Sequence, residues 1–332
     1  MRPVCRIFAN GADLAHILAT RLQSVSVTDA AGLEADTLEL VLADHDDQAP
    51  LQLPPTGAEL EVWLGYEDTG TQRMGLFVVD ELEADGFPER LTIRARAAPY
   101  EGSRGGKVHL QTQKTRAWPK GTKLGDMVAK IAKEHGLQPA VSASLRGLAL
   151  PQFDQVDESD LALLVRVAQR YDGVVKPGGG KLAVAKRGES KTASGLDLPT
   201  VTVRKQDCTR WAMNVSTRDS EGTVIAFYHN RGAAKREHVA VGQGDPVRRL
   251  RNNYPDKDSA QRAADAELDK RGRRKNKLSL AMPGNTDLTA EAKLQVVGFR
   301  PYVPPLWVVT QVVHRYDPGA GYSCEVEAEK PQ

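Results

Sequence analysis

Apolar and polar residues alternate along much of the first hundred residues. A period of two is typical of antiparallel strands that bury one face. The alternation breaks at turn-forming sequences, such as Pro54-Pro55-Thr56-Gly57 and Asp85-Gly86-Phe87-Pro88. We therefore predict a small β-barrel-like domain over residues 1–100. The apolar positions that define its strands are Leu38, Leu40 and Leu42, then Leu60, Val62 and Leu64, then Leu91, Ile93, Ala95 and Ala97.

The pattern changes to a helical period over residues 101–190. Residues 101–121 are Gly-rich and basic, which indicates a linker or an extended arm. We predict one helix that begins at an N-cap Thr122 and ends at Gly136, and a second that begins near Asp157. A hairpin is expected around residues 177–180. The second helix is expected to bury Leu161, Leu164, Val165 and Ala168 and to end at Gly173.

Alternation returns over residues 191–332, for which we predict a second β-barrel-like domain. Its strands are interrupted by a polar loop at about residues 242–258 and by an inserted helix near 257–271. That helix is indicated by the spacing of Ala260, Ala263, Ala264 and Leu268.

Three features occur in the same order in the two β regions. Each has a strand that closes on Gly and an aromatic residue, then an aromatic residue before two valines, then a turn and a long amphipathic strand. This shared order predicts an internal duplication. The fold class that follows is mainly β, with two small β-barrel-like domains and an inserted α/β domain. The matching pairs are Gly65-Tyr66 with Gly298-Phe299, and Phe77-Val78-Val79 with Trp307-Val308-Val309.

Charge and composition exclude several classes of function for this chain. The 332 residues carry 45 basic and 43 acidic side chains, so a net charge of +2 provides no strong field toward nucleic acid or anionic lipid. The three cysteines, Cys5, Cys208 and Cys324, have neither zinc-ligand nor disulfide-framework spacing. No apolar run approaches a membrane span. We expect a protein made in the cytoplasm, with no membrane contact and no sequence-specific nucleic acid.

The run "QVDESDLALLVR" at residues 155–166 is the first candidate for chemistry. Asp157, Glu158 and Asp160 surround Ser159, so an active site, a calcium loop and a helix start are the alternatives. Acid–base catalysis requires carboxylates in different environments, and a calcium loop requires oxygen ligands spaced around a Gly. A helix start fits better. Asp157 is predicted as the N-cap, and Glu158 and Asp160 are predicted to meet the positive end of the helix dipole.

The other candidates also have non-catalytic interpretations. The seven histidines form no metal-binding spacing, and His314, inside a strand, is predicted to pack in a core or an interface. The "PGGGK" at 177–181 lacks the end of a phosphate loop and is predicted to be a hairpin turn. The basic run from Lys270 to Lys277 is predicted to be a solvated helix end or a subunit contact, and its role stays open. We predict no catalytic, cofactor-binding or metal-binding residues, and hence no enzyme.

The chain resembles the late control gene D tail proteins of P2-like contractile phages and R-type tailocins, and more distantly the head of the VgrG spike proteins. The resemblance follows "RLQSVSVTDAAGLEADTLELVLAD", "MGLFVVDELEADGFPERLTIRARAA", "QVDESDLALLVRVAQRYDGVVKPGGGKLAVAKRG" and "LWVVTQVVHRYDPGAGYSCEVEAE" in order along the chain. Little identity is present at residues 229–256.

This resemblance implies a structural baseplate hub of a contractile tail. The expected hub is a homotrimer that joins a hexameric tail tube to a trimeric central spike and nucleates tail assembly. Its expected partners are the spike, the tube or tube-initiator protein, the tape measure and the baseplate wedge proteins. The expected location is a phage virion or a headless tailocin, assembled in the bacterial cytoplasm. The alternative is a tail-tip peptidoglycan hydrolase.

Overall fold

The computed structural model describes residues 1–31, 35–98, 110, 112–178, 180–188, 198, 200–216, 222–230 and 232–331. The predicted domain boundaries at residues 100/101 and 190/191 lie outside these residues. So do residues 101–109 and 111 of the predicted linker at 101–121, whereas Gln113–Trp118 of that linker form a strand. The domain ranges therefore stay predictions.

The N-terminal half is built from seven strands and one short helix. Its strands alternate buried apolar and exposed polar residues, as predicted, so that one face packs in the core. The elements are β1 (Pro3–Ala9), β2 (Ala12–Asp13), α1 (Ala15–Arg21), β3 (Leu22–Ala30), β4 (Thr37–Ala43), β5 (Glu59–Tyr66), β6 (Gly70–Asp85) and β7 (Arg90–Ala97).

The central α/β module packs three helices on two small sheets around its own apolar core. Strand β10 pairs with β8, and the second sheet has the order β11-β12-β9. The elements are β8 (Gln113–Trp118), α2 (Leu124–Glu134), β9 (Gln138–Val141), α3 (Ala143–Arg146), β10 (Phe153–Ser159), α4 (Asp160–Gln169), β11 (Gly173–Gly178) and β12 (Lys181–Lys186).

The C-terminal half contains nine strands, one long helix and a short 3-10 helix. Strands β15 to β17 form a separate sheet, against which α5 packs its alanines in a third small core. The elements are β13 (Thr200–Arg204), a 3-10 turn (Lys205–Asp207), β14 (Arg210–Val215), β15 (Thr223–Asn230), β16 (Lys235–Val241), β17 (Val247–Tyr254), α5 (Lys257–Arg274), β18 (Asn276–Pro283), β19 (Lys293–Val297), β20 (Leu306–Asp317) and β21 (Gly321–Glu329).

The remaining strands of the two halves belong to one 13-stranded sheet. Its main path is β14-β18-β21-β20-β3-β4-β7-β6-β5-β1-β2, and β19 and β13 continue from β20. The halves meet where β3 pairs antiparallel with β20, from Ala30 opposite Gln311 to Val25 opposite Tyr316. One apolar core underlies both halves, with Phe77 and Trp307 almost fully buried.

The two halves have the same strand order, which supports the predicted duplication. The first half runs β1-β5-β6-β7-β4-β3, and the second runs β13-β19-β20-β21-β18-β14. When β2 and the separate strands β15 to β17 are left out, each half has six described strands. Numbered along the chain, both halves have the order 1-4-5-6-3-2. The two halves differ in one pairing, because β1 is antiparallel to β5 whereas β13 is parallel to β19.

The repeat extends to individual backbone hydrogen bonds. A β-bulge follows Val79 in β6, and another follows Val309 in β20. Gly57 N–H donates to the Val79 carbonyl at 2.8 Å, and Glu291 N–H donates to the Val309 carbonyl at 2.8 Å. Both donors have a positive φ, +89° for Gly57 and +66° for Glu291. A conformation that suits glycine is therefore kept in the second repeat with a glutamate.

Several local predictions need correction. Residues 247–254, predicted as loop, form β17, because pairing with β15 overrides their polar sequence. The insertion near 257–271 is therefore a small α/β unit rather than a single helix. The first helix of the central module begins after Lys123, whose side chain makes no capping bond. Thr122 instead donates its hydroxyl to the Pro119 carbonyl. The Gly136 end is confirmed, with φ +65°.

Because one core serves both halves, we expect a core cavity in either half to lower the stability of the whole sheet. Leu40→Ala and Leu280→Ala remove equivalent buried side chains and should each cost about 2–5 kcal/mol. Denaturant unfolding, followed by tryptophan fluorescence and circular dichroism, should show both changes in the same transition. Leu53→Ala, at an exposed leucine, is the control. Two separate transitions, each moved by only one variant, would contradict the shared core.

Candidate functional site

The acidic motif lies where β10 passes into α4. A bulge between Gln155 and Glu158 interrupts the pairing of β10 with β8. Asp157 occupies the bulge with φ +47°, and its carboxylate accepts a hydrogen bond from the Thr115 hydroxyl at 3.1 Å. The three acidic residues therefore do not share one solvated environment.

The predicted N-cap is wrong by two residues. Helix α4 begins at Asp160, and the Ser159 hydroxyl accepts from the Ala162 N–H at 3.2 Å. Glu158 is still in β10 and forms a two-bonded ion pair with Arg166, at 2.8 and 2.6 Å. The motif is a helix start, as predicted, but its serine caps the helix.

Asp160 is the centre of a buried ion cluster. Its side chain is inaccessible to solvent. The residues around it come from β8, the C-terminal cap of α2 and β10, so one carboxylate joins three elements to the start of α4. Its partners are Lys114 Nζ at 2.6 Å, Arg116 Nη2 at 2.5 Å, Gln155 Nε2 at 2.9 Å and His135 Nε2 at 2.7 Å.

The electrostatics of Asp160 favour a permanent carboxylate. Burial alone raises its pKa, but hydrogen bonds from Lys114, His135 and Gln155 and the charge of Arg116 outweigh burial and lower the pKa to about 2. A general acid or base needs a pKa nearer the working pH and access to a substrate. Asp160 has neither, so the arrangement is suited to holding the module together.

A second ion cluster lies at the junction of the three parts of the chain. Lys176 of β11 places its ammonium 2.7 Å from Asp29 Oδ1 and 2.8 Å from Asp36 Oδ1. The second oxygen of Asp29 accepts from the Ala290 N–H at 2.8 Å. Asp29 and Asp36 belong to the N-terminal half, Lys176 to the central module and Ala290 to the C-terminal half. The cluster therefore fixes all three parts against one another.

The pKa values of the two carboxyl groups of this cluster are shifted in opposite directions. Burial, together with the adjacent Asp29 charge, raises the pKa of Asp36 to about 6. For Asp29, burial is outweighed by Lys176 and the Ala290 N–H, and the pKa is lowered. The lysine thus neutralises mainly Asp29 at low pH, and both carboxylates are ionised above about pH 6.

Two further contacts tie the central module to the C-terminal half. Arg273, at the end of α5, is buried and contacts Asp172 Oδ1 at 2.5 Å. The Gly188 N–H donates to Glu291 Oε2 at 3.0 Å. The prediction that the basic run is a solvated helix end or subunit contact is wrong for Arg273. The last turn of α5 packs on the central module, which desolvates this guanidinium.

His314 is buried, in agreement with the predicted packing role. Its Nδ1 lies 2.8 Å from the Tyr322 hydroxyl and 3.2 Å from Cys324 Sγ, and its Nε2 lies 3.1 Å from the Leu288 carbonyl. Burial lowers the pKa of His314 to about 4 and raises the pKa of Cys324 to about 11. A thiolate–imidazolium pair is disfavoured by both shifts, so these residues form a neutral core network.

The remaining candidates agree with their structural interpretation. The "PGGGK" segment joins the antiparallel strands β11 and β12. In the part of the chain that the structure describes, no group of three or more His, Cys, Asp or Glu is arranged to hold a metal ion. None of the described helices has the length and apolar character to cross a membrane. The prediction that the chain has no catalytic, cofactor or metal residues stays a prediction.

Family and structural comparisons identify the kind of protein that carries these clusters. Residues 34–319 match the phage tail baseplate hub (GPD) family. The chain belongs to this family. The hub is 30% identical over 373 aligned positions to the probable baseplate hub protein of Escherichia phage 186, with 99% of the chain and 93% of the relative covered. It is 31% identical to that of Escherichia phage P2 over the same shares of the two chains.

Solved structures of low sequence identity share the hub fold. A tail protein from Neisseria meningitidis has a TM-score of 0.71 at 13% identity, and covers 99% of the hub and 97% of its own chain. A 43 kDa tail protein of a Shewanella oneidensis prophage has a TM-score of 0.70 at 12% identity, with 99% and 98% covered. A type VI secretion component from E. coli has a TM-score of 0.56 at 12% identity, with 98% and 76% covered. The mainly β fold is therefore that of phage tail proteins.

Asp160→Asn should destabilise the central module, because it leaves Lys114 and Arg116 facing a neutral amide. Breaking a buried ion pair costs about 3–5 kcal/mol, and the lower end applies here because the two cations are partly exposed. Chemical denaturation at neutral pH measures the change. Asp154→Asn, at an exposed acid in the same strand, is the matched control. Equal stabilities of the two variants would contradict an anchoring role for Asp160.

The raised pKa of Asp36 predicts how the stability of the hub changes with pH. Because its pKa is raised in the folded hub, the native state binds more protons than the unfolded state between about pH 4 and 6. The Asp36 contribution to stability should therefore decrease as pH rises through this window. Asp36→Asn should gain stability relative to wild type from pH 4 to 6, with a constant difference above about pH 7. A difference that stays flat from pH 4 to 7 would contradict the raised pKa.

Proposed function

We propose that this hub is a homotrimeric adaptor that joins the hexameric tail tube to the trimeric central spike and nucleates assembly of the tail. The observation that carries the proposal is the identical strand order of the two halves. Three chains would present six equivalent repeats, so a trimer would offer a sixfold-like ring to the tube. The features that differ between the halves would leave a threefold arrangement for the spike.

The ion clusters support an adaptor that keeps its parts in fixed positions. A duplicated chain can present equivalent repeats only if its halves keep a constant relative orientation. The β3–β20 pairing and the Lys176 cluster supply that constraint. Both are internal to one chain, so the orientation would be set before any partner binds.

The proposed partners follow from the same role. They are the central spike, the tail tube or tube-initiator protein, the tape measure protein and the baseplate wedge proteins. As a phage tail baseplate hub, the protein is a component of the virion tail. We further propose that it is assembled in the bacterial cytoplasm. Whether the particle is a phage or a headless tailocin, the hub would occupy the same place.

The proposed function is non-enzymatic. The peptidoglycan-hydrolase alternative requires a carboxylate that reaches substrate. The acids of the motif are committed to other contacts: Asp160 is buried among cations, and Glu158 is paired with Arg166. These contacts favour a structural role for the motif.

Native mass measurement of the purified hub should give three times the chain mass. The cognate spike protein should bind the trimer in a pull-down, and tails should fail to form in cells that lack the hub. Zymography on peptidoglycan should show no clearing. Glu158→Gln is the control for that assay, because Glu158 is an acid of the motif that is only partly buried. A hub that stays monomeric and does not bind the spike would refute the adaptor function. Clearing of peptidoglycan that is lost in Glu158→Gln would favour the hydrolase.

A further inference from the structure

One strand pairing joins the two repeats in the described part of the chain. Strand β3, the second strand of the first repeat, pairs with β20, the fifth strand of the second repeat. The contact is heterologous, because the two repeats use different edges. Contacts of this kind continue from unit to unit and form a ring when the rotation closes.

Shared pairings define which residues of the two repeats are equivalent. Val79 and Val309 precede the bulges of β6 and β20, so Leu82 corresponds to Val312 and Glu83 to Val313. Leu38 and Leu278 occupy the same register against β7 and β21. Opposite these leucines lie Val27 of β3 and Met213 of β14, which are therefore equivalent. Continuing along the strands, Asp29 corresponds to Val215 and Thr28 to Asn214.

Both edges that would repeat this contact are unoccupied by described strands. Strand β14, equivalent to β3, pairs only with β18 among the strands that the structure describes. Strand β6, equivalent to β20, pairs with β5 through Gly70–Val78 and with β7 through Phe77–Asp85. Its residues 81–85 thus have no described partner on the β5 side. The equivalent residues 311–316 of β20 pair with β3 there.

Side chains of β14 are more exposed than their equivalents in β3, as expected if β14 lacks a neighbouring strand. Val25 and Val27 of β3 are 0% and 1% exposed, covered by β20. Their equivalents, Trp211 and Met213 of β14, are only half-buried. Val215 is 55% exposed, which is unusual for a valine at the end of a strand that packs on a core. An additional strand beside β14 would cover this face.

The charges of the two edges are complementary. Strand β14 carries one basic residue, Arg210, and no acidic residue. The open segment of β6 carries Glu81, Glu83 and Asp85, which pair with Arg94 and Arg90 of β7 in the same chain. Unpaired edges of this length readily add a strand from another chain. Pairing the β6 segment with itself would bring acids opposite acids, whereas β14 offers no acid to oppose them.

We propose that β14 of one hub chain pairs antiparallel with residues 81–85 of β6 in the next chain, and that this pairing closes the ring. The register copies the internal contact. Val312 faces Asp29, Val313 faces Thr28 and His314 faces Val27. In the intermolecular contact Leu82 therefore faces Val215, Glu83 faces Asn214 and Ala84 faces Met213. The inference rests on the proposed trimer for the number of copies, and it adds the edges and the register.

Disulfide trapping tests this register. In the internal contact Ala31 N–H donates to the Thr310 carbonyl, so by alternation Val313 and Thr28 form a non-hydrogen-bonded pair, whose side chains are closest. The equivalent substitutions are Glu83→Cys and Asn214→Cys, combined in a Cys208→Ser background. After mild oxidation, non-reducing electrophoresis should show covalent trimer that reductant returns to monomer.

The matched control moves one cysteine two residues along β14, to the same face. Glu83→Cys with Ala212→Cys should give little covalent product, because a diagonal pair is about 7–8 Å apart, beyond disulfide reach. A wild-type trimer by native mass with no trapping of the Glu83–Asn214 pair would overturn this interface and leave the adaptor standing. A monomeric wild type would overturn both. Equal trapping of the two pairs would overturn the register.

A second variant covers the case in which the double-cysteine chain does not fold. Val215→Glu would place a carboxylate against the apolar side chain of Leu82 in the neighbouring chain. Native mass measurement should show loss of the trimer. Val156→Glu, at a valine that is 65% exposed in the central module, is the control and should remain trimeric. A trimeric Val215→Glu hub would overturn the proposal.

Discussion

The architecture of the hub depends on the antiparallel pairing of β3 with β20. This ladder turns two β repeats into one sheet over one core, and it sets the angle between the repeats. Asp29 lies in the same ladder, opposite Val312, and its carboxylate receives both Lys176 and the Ala290 N–H. The strand that joins the repeats therefore also positions the central module.

Charged groups hold the parts together, and an apolar contact in their place would tolerate more displacement. Burying ions costs free energy, and a buried ion pair often stabilises a fold less than apolar residues of the same size would. Its value is directional, because an ammonium between two carboxylates has only a few favourable positions. Asp160 does the same inside the central module, and Asp172 with Arg273 does it at the end of α5. A protein that must present repeats at fixed angles benefits from contacts that tolerate little sliding.

The sequence predicted the features that depend on local periodicity. The alternating strands of the two β regions, the helices α2, α4 and α5, the hairpin at residues 177–180 and the shared order of the two β regions were readable, because apolar spacing and turn residues determine them. Strand β8 was not, since it lies in the segment predicted as a linker. Strand β17 was not readable, since its polar residues take strand geometry only through pairing with β15. Separate barrels were predicted because a sequence does not show that β3 continues into β20. Whether either half also closes as a barrel stays a prediction.

The ion clusters show why buried charged residues are difficult to predict from a sequence. Asp160 occupies the buried stripe of α4 with Leu163, Leu164 and Val167, at helical spacing. Because Asp160 is an acid, its sequence position predicts a solvent-exposed place in the first turn of the helix. Its cations, Arg116 and Lys114, are 44 and 46 positions away along the chain, and Lys176 is 147 positions away from Asp29. A charged residue at an apolar position was the available signal, and its partners could come only from the fold.

Cryo-electron microscopy of the assembled tail, without imposed sixfold symmetry, tests the central claim most directly. Two structurally equivalent repeats per chain, held by the β3–β20 ladder, should form a ring of six. Alternating first and second repeats should lie at the same radius, about 60° apart. First and second repeats at different radii or heights along the tail axis would contradict the account.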